Sequence, residues 1–440
     1  MSGGRFPAPP DGAPRSSATL ILFLLIILLP SMVLTAVDAE PSPSPSVERK
    51  PEPTPKAKPK EDFKYYSFVF EMCTSRCARD GCATVRMPRS GEEVNAGGCV
   101  AACKNGGPKE GGTPSEFPLA LRVLRWDCAS DCQYRCMESL QKVRNREGLQ
   151  AAKYYGKWAF TRVWGAQEIV SCVASLVNAA VHVWHAPMLL AAAVKGGGGA
   201  GAAGRAQSSA VLWLINGTFH LNCWVWSAVF HARETSWTHF MDYTSANVLF
   251  FFAGFAAIVR VRGWRLQRAH DLAELAPLTI ATVALLVLHV RHVTTPTREA
   301  NYNYGFNIKM MAACATLHWT LMLAWAYAYR PWWWCAPSRL PGKEGVQVIE
   351  SSSDFEGSGS VRQPHPGRHA LAACCASWHV AALAEVLDFP PWRGILDAHA
   401  LWHCATPLCG WIWYRFVAAD LAVSLPPTGA DGDVGKKKMS

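Results

Sequence analysis

The amino-acid sequence predicts an all-α, polytopic membrane protein, in which a bundle of seven transmembrane helices follows a small, disulfide-rich luminal domain. Three observations predict it. Half of the 440 residues are hydrophobic and 17% are charged, whereas a water-soluble globule carries about 25% charged residues. From Trp158 onward, apolar blocks alternate with short polar ones, and the blocks approach the roughly 20 residues that a helix needs to cross a bilayer. Eight of the sixteen cysteines crowd between Cys73 and Cys136.

The first segment to account for is the N-terminus. Arg5 and Arg15 precede an apolar run from Ala18 to Val37, which ends in Val37-Asp38-Ala39. A basic flank, an apolar core and small residues before a cleavage point are the parts of a secretory signal, so residues 1–39 are read as a signal peptide that delivers the rest to the lumen. Residues 40–62 are dominated by Pro, Ser, Lys and Glu. They cannot bury a core and are read as a disordered linker.

The luminal head follows, over 63–155. Cys73, Cys77, Cys82, Cys99, Cys103, Cys128, Cys132 and Cys136 form an even set behind a signal peptide, which reads as four disulfides. Many of them sit four apart, on one face of a helix turn, so that one helix can be stapled to another. Eight cysteines allow 105 pairings, and the sequence does not choose among them. Zinc binding by these cysteines is disfavoured, because the spacing is CxxxC and the compartment is oxidising.

The bundle is predicted over 156–421, with spans near 163–183, 209–230, 240–260, 272–290, 309–329, 369–388 and 398–419. The first and sixth are weakened by His, Glu or Asn. Loops after odd-numbered spans and the tail hold fourteen Lys and Arg residues, among them Arg260, Arg262, Arg265 and Arg268, against five in the other loops. Positive loops stay in the cytosol, so the head is luminal and the C-terminal tail, 422–440, cytosolic. The net charge of +10 comes from these scattered loops. It speaks for a membrane surface and against nucleic acid as a partner. The tail ends Lys437-Lys438-Met439-Ser440, which matches a dilysine address read by coat-protein retrieval machinery.

Ionisable groups inside spans are costly and mark functional interiors. Of the fourteen histidines, His182, His185, His289 and His292 are read as interfacial. Another set forms a constellation. Ser227 and His231 are four apart at the end of span two, Asp242 lies at the start of span three, and His399 and His403 are four apart at the start of span seven. A spacing of four puts two imidazoles on one helix face, where they can bind one ion. Three histidines leave open the fourth position of a tetrahedral zinc, which a catalytic site needs. The predicted topology puts all five residues at one depth on the luminal side.

The stretch from Ser227 to Tyr243 (SAVFHARETSWTHFMDY) and that from Leu387 to His403 (LDFPPWRGILDAHALWH) closely resemble the signatures of the post-GPI attachment to proteins factor 3 family. Gly156–Arg162, Gln167-Glu168 and Tyr304–Asn307 look like further blocks of it, and the likeness covers roughly residues 70 to 420, the cysteine head included. That family sits in a wider set of seven-span metal hydrolases with alkaline ceramidases and progestin/adiponectin-type receptors. The resemblance implies a zinc site at His231, His399, His403, Asp242 and Ser227. It implies GPI-anchored proteins as substrate, their sn-2 fatty acid being removed from the phosphatidylinositol within membrane lipid, in a Golgi protein, while the dilysine tail implies cycling through the endoplasmic reticulum. In such a site Asp242 would orient water or act as its base, and Ser227 would bind water or serve as a nucleophile. Three positions depart from the family pattern: Glu234 for Asp, His239 for Glu and Asn303 for Asp. A ceramidase-like amidase and a non-catalytic receptor or scaffold with a structural metal are the competing readings.

Overall fold

The structure is a computed structural model, and it describes residues 60–87, 91, 93–107, 112–154, 156–195, 202–266, 268–295, 302–328 and 364–424. The signal peptide, nearly all of the linker, most of the long loop before the sixth predicted span and the dilysine tail lie outside the described residues.

The head is built on two helices, α1 (Lys60–Asp80) and α3 (Cys128–Arg146). Cys73 pairs with Cys136 and Cys77 with Cys132, so the four-residue spacing on each helix staples the two in antiparallel register. The remaining pairs depart from the all-α expectation. Residues Gly81–Arg86 (β1) and Glu93–Lys104 (β2) form an antiparallel hairpin in which Cys82 faces and bonds Cys99, and Cys103 of β2 bonds Cys128 at the start of α3. A four-residue spacing keeps one face in a strand as well as in a helix, because the strand period is two. The spacing of Cys99 and Cys103 therefore did not discriminate. Gly81 enters the hairpin at φ +73°, and a Cβ there would stand 2.3 Å from the Val100 carbonyl oxygen, a position only glycine fits.

A short helix, α2 (Leu119–Val123), and a two-residue hairpin of β3 (Lys153–Tyr154) and β4 (Lys157–Trp158) lead into seven long helices. These are α4 (Ile169–Lys195), α5 (Ala202–Ala232), α6 (Ser236–Arg262), α7 (Ala269–Thr294), α8 (Tyr304–Ala328), α9 (Arg368–Leu387) and α10 (Ala398–Ser424). Four of them, α4, α6, α7 and α9, are long and apolar enough to cross a membrane. The helix α5 packs against α4, α6 and α10, and α10 also packs on α4 and α9.

The first helix begins at Ile169, six residues later than predicted. Trp164 and Gly165 both take left-handed φ (50° and 80°), and Val163 pairs with Ala166 as an isolated bridge. This turn breaks the helix and leaves Gln167 and Glu168 to cap the end of α5, with their N–H groups donating to Ala232 O (3.1 Å) and His231 O (3.0 Å).

The bundle has an apolar interior, with Leu189, Trp213, Met322, Leu371 and Phe416 buried, and it also exposes apolar side chains and buries polar ones. Val173, Leu176, Ile280, Leu285, Leu288, Val380, Leu383 and Val386 face outward, while Ser171, Ser175, Asn178, Asn216, Ser227, Asn247, Asn307 and Asp420 are buried. Outward apolar residues suit lipid, and several of the buried polar ones bond across helices, as Ser175 does with Ser227 and Asp420 with Arg260. His182 and His289 are buried instead of interfacial. His182 bonds Tyr414 at 3.0 Å, and His289 lies 3.2 and 3.0 Å from the side-chain oxygens of Asn247 and Asn307. At the pole where α6 and α10 end, Asp420 accepts from Arg260 Nε at 2.9 Å and from Trp213 Nε1 at 2.8 Å.

The head docks on the opposite pole. Tyr134 Oη donates to Phe160 O at 2.5 Å, Trp126 Nε1 to Gly165 O at 3.0 Å, and Arg162 to the buried Asp131 at 2.8 Å. Asp131 also pairs with Arg135 at 2.7 Å. The two staples close loops of 63 and 55 residues. Removing one, as in C77S/C132S, should lower the stability of the head by about 2–4 kcal/mol, read as faster proteolysis and an earlier thermal transition of the purified protein.

Candidate metal centre

The turn at the head-facing pole decides where the histidines point. The C-terminus of α5 presents His231. Asp397 caps α10 by accepting the Ala400 N–H at 2.7 Å, a favourable N-cap arrangement, and the first turns of α10 then present His399 and His403 on one face. One ligand atom from each of His231, His399 and His403 lies within 4.8 Å of the others. His231 and His403 are buried and His399 is half-exposed.

Each imidazole is held from outside by its Nδ1. His231 Nδ1 donates to Glu168 Oε2 and His399 Nδ1 to Glu385 Oε2, both at 2.7 Å. His403 Nδ1 lies 3.2 Å from Ser175 Oγ, which lies 3.1 Å from Ser227 Oγ. The carboxylates put the proton on Nδ1 of His231 and His399, the Ser175 hydroxyl holds the His403 ring by the same atom, and all three Nε2 atoms then face inward, which is how metal-binding histidines are oriented. The Nε2 atoms of His399 and His403 are 3.0 Å apart, close to the roughly 3.4 Å that two nitrogens take on one tetrahedral ion with bonds of about 2.1 Å. Three imidazoles with converging ligand atoms fit a divalent ion such as zinc, which would take the place of a proton shared among them.

The other two predicted residues hold different positions. Ser227 reaches the cluster through Ser175 and steadies His403. Asp242, two turns into α6, is half-buried, and among the described residues its carboxylate takes no hydrogen bond from another side chain. Its charge faces His231 and His399. Glu168, Ser175 and Glu385 were not singled out by the search for ligands in the sequence. The signal for the two acids was present, since both interrupt apolar blocks, but it read as a weakness of the spans. Burial alone would raise the Glu168 carboxyl, yet the His231 imidazole, as charge and hydrogen-bond donor, and Lys157 beyond it hold it down at about 2.

The sequence pattern of the Per1-like family matches residues 118–421. The chain belongs to the Per1-like family. It is 27% identical over 316 residues, 72% of this chain and 83% of the other, to a Mus musculus protein named GPI-specific phospholipase A2-like PGAP3. A Danio rerio protein of the same name is 27% identical over 329 residues, 73% and 87% of the two chains. The Protein PER1 homolog of Schizosaccharomyces pombe is 27% identical over 327 residues, 74% and 84%. No solved structure matches the chain.

If these imidazoles hold a metal, replacing Glu168 or Glu385 with Gln should weaken its affinity about 10–100-fold, measured by chelator competition, and His403→Ala should abolish it. Such a metal should also be lost as pH falls, because protons compete for the imidazoles. With a folded pKa near 2 against an ordinary 4.5, the stabilisation from Glu168 is complete above pH 4.5 and is lost only as pH falls towards 2. Loss of metal at higher pH should therefore follow the histidines.

Proposed function

We propose that this chain is a metal-dependent acyl-ester hydrolase that remodels GPI anchors, removing the sn-2 fatty acid from the phosphatidylinositol of GPI-anchored proteins. The observation that carries the reading is the convergence of three imidazoles whose Nδ1 atoms are all engaged from outside. The family membership and the names of its relatives support the substrate.

His231, His399 and His403 would hold zinc. When bound, zinc supplies a Lewis acid that polarises an ester carbonyl and lowers the pKa of a coordinated water towards about 7. The protein's own groups do the rest. Glu168 and Glu385 keep the Nδ1 protons in place, so the ligand lone pairs stay available. Asp242 has a carboxylate with no other hydrogen bond to satisfy, and it accepts the proton of the attacking water. Ser227 is better assigned to the hydrogen-bonded chain behind His403 than to nucleophilic attack, because its partner Ser175 is no base and His403 is taken by the metal.

In this reading all seven long helices cross the membrane, with the histidine pole and the head in the lumen, where the lipid of a GPI anchor lies. The loop charges support that orientation. The dilysine ending supports retrieval from the Golgi apparatus by the coat machinery.

Purified, zinc-loaded protein given a GPI lipid should release an unsaturated fatty acid and leave the lyso form. Asp242→Asn should lower kcat about 10²–10⁴-fold with bound zinc unchanged, whereas His399→Ala should lose both. Amide lipids supplied in parallel should stay intact. Ongoing release by His399→Ala, or preference for the amide, would sink the reading.

A further inference from the structure

A cavity of about 280 Å³ lies where the cysteine-rich head meets the histidine pole, near the lower end of the roughly 300–1,000 Å³ of small-molecule pockets. Its walls come from both units: Trp126, Gln133 and Tyr134 from the head, Tyr154 and Lys157 from the hairpin that joins them, and Glu168, Arg233 and Glu234 from the bundle side. Glu168 is shared. One of its oxygens binds His231 at 2.7 Å, and the other lies 3.9 Å from Lys157 Nζ. The cavity and the metal centre are thus one side chain apart.

The lining has two kinds of group. The lining carries two cations and two carboxylates: Glu234 pairs with Lys157 inside the cavity, so Arg233, whose acidic contact is Asp127 outside it, is the cation that faces an incoming group. Glu234 takes Lys157 at 2.6 Å, Glu168 is committed to His231, and the nearest acid to Arg233 is Asp127, at 3.3 Å. The Arg233 guanidinium lies flat over Trp126 at 4.2 Å. Among the described residues its Nε and the hydroxyl of Tyr154 are buried without a hydrogen-bond partner. A buried donor without a partner costs about 1–3 kcal/mol, so both are provision for something the cavity receives. The remaining lining is aromatic faces with the amides of Gln133 and Gln167 and the hydroxyl of Ser130. Cations fit a phosphodiester, flat faces fit the C–H surface of a ring, and amides and hydroxyls fit a set of ring hydroxyls.

We propose that this cavity is the headgroup site, and that it binds a cyclitol phosphodiester, the inositol phosphate of the anchor lipid. The inference rests on the acyl-ester hydrolase reading of the neighbouring centre. In a phosphatidylinositol only a few bonds separate the sn-2 ester from the phosphodiester, so a site for one must adjoin a site for the other. The head then has a role that a bare seven-helix hydrolase lacks: it supplies part of the walls that select the headgroup, its disulfides hold those walls together, and the Tyr134, Trp126 and Asp131 contacts fix them on the bundle.

The test uses full-length, zinc-loaded protein in detergent and glycerophosphoinositol, the headgroup without acyl chains, with binding followed by calorimetry. Wild type should bind it saturably, and His403→Ala should bind within about twofold of wild type. Arg233→Gln and Gln133→Leu should weaken binding about tenfold or more, and glycerophosphocholine should bind at least about tenfold more weakly, a difference of about 1.4 kcal/mol. Gln133 is exposed, so its replacement leaves the fold intact. No saturable binding to wild type, equal binding by Gln133→Leu, or equal binding of the choline compound would overturn the proposal. Fatty-acid release from intact GPI lipid is measured on the same preparations. Headgroup binding without release overturns the hydrolase reading alone, and release without headgroup binding overturns the pocket alone.

Discussion

An imidazole in an apolar helix bundle is costly unless both of its nitrogens are satisfied. The head-facing pole of this protein is arranged around that constraint. Three histidines enter it from two helices, and each secures its Nδ1 on a neighbour: Glu168 ahead of α4, Glu385 on α9, and Ser175 on α4. The three Nε2 atoms are left with one another, and a shared cation would satisfy all of them at once. Glu168 also caps α5 through its backbone. The residue that orients His231 thereby ends the helix that carries it.

The same constraint orders the rest of the bundle. Polar groups that cannot reach water reach each other across helices. Asn178 donates to the His403 carbonyl at 3.1 Å, His182 meets Tyr414, and Asp420 gathers Arg260 and Trp213 at the far pole. Each such contact sets the rotation of one helix against another, since a helix turned away would leave a buried polar atom unpaired. Apolar residues are found on both sides: Leu189, Trp213, Met322, Leu371 and Phe416 pack inside the bundle, while Ile280, Leu285, Leu288 and Val386 face outward, where they suit lipid. The head closes the pole with a second set of such pairings, in which Trp126 lies between the Arg162 and Arg233 guanidiniums, each within 4.5 Å.

Much of this was legible along the chain. The apolar blocks marked seven long helices because helix length and hydropathy are local properties. The i, i+4 spacing of His399 and His403 put them on one face before any packing was known, and charge counting gave a reason to group them with His231. Where the structure departs from local pattern, the cause is also local. Apolarity runs through Val163 and Trp164, yet α4 starts only at Ile169, because Trp164 and Gly165 are two consecutive left-handed residues. The cysteine spacing suggested helices throughout, although Cys99 and Cys103 lie on a strand.

By itself the sequence determined the helices, the number of cysteines available for pairing and the supply of ligands, since each follows from composition and period within one segment. Only the tertiary structure decided which cysteines pair, which acids orient which histidines, and that a cavity opens between head and bundle beside them. Those outcomes join residues dozens to hundreds of positions apart, such as Ser175 with His403 and Glu168 with His231. No local period encodes such a distance. It is set when buried polar groups, folded into an apolar surrounding, have only each other to bond.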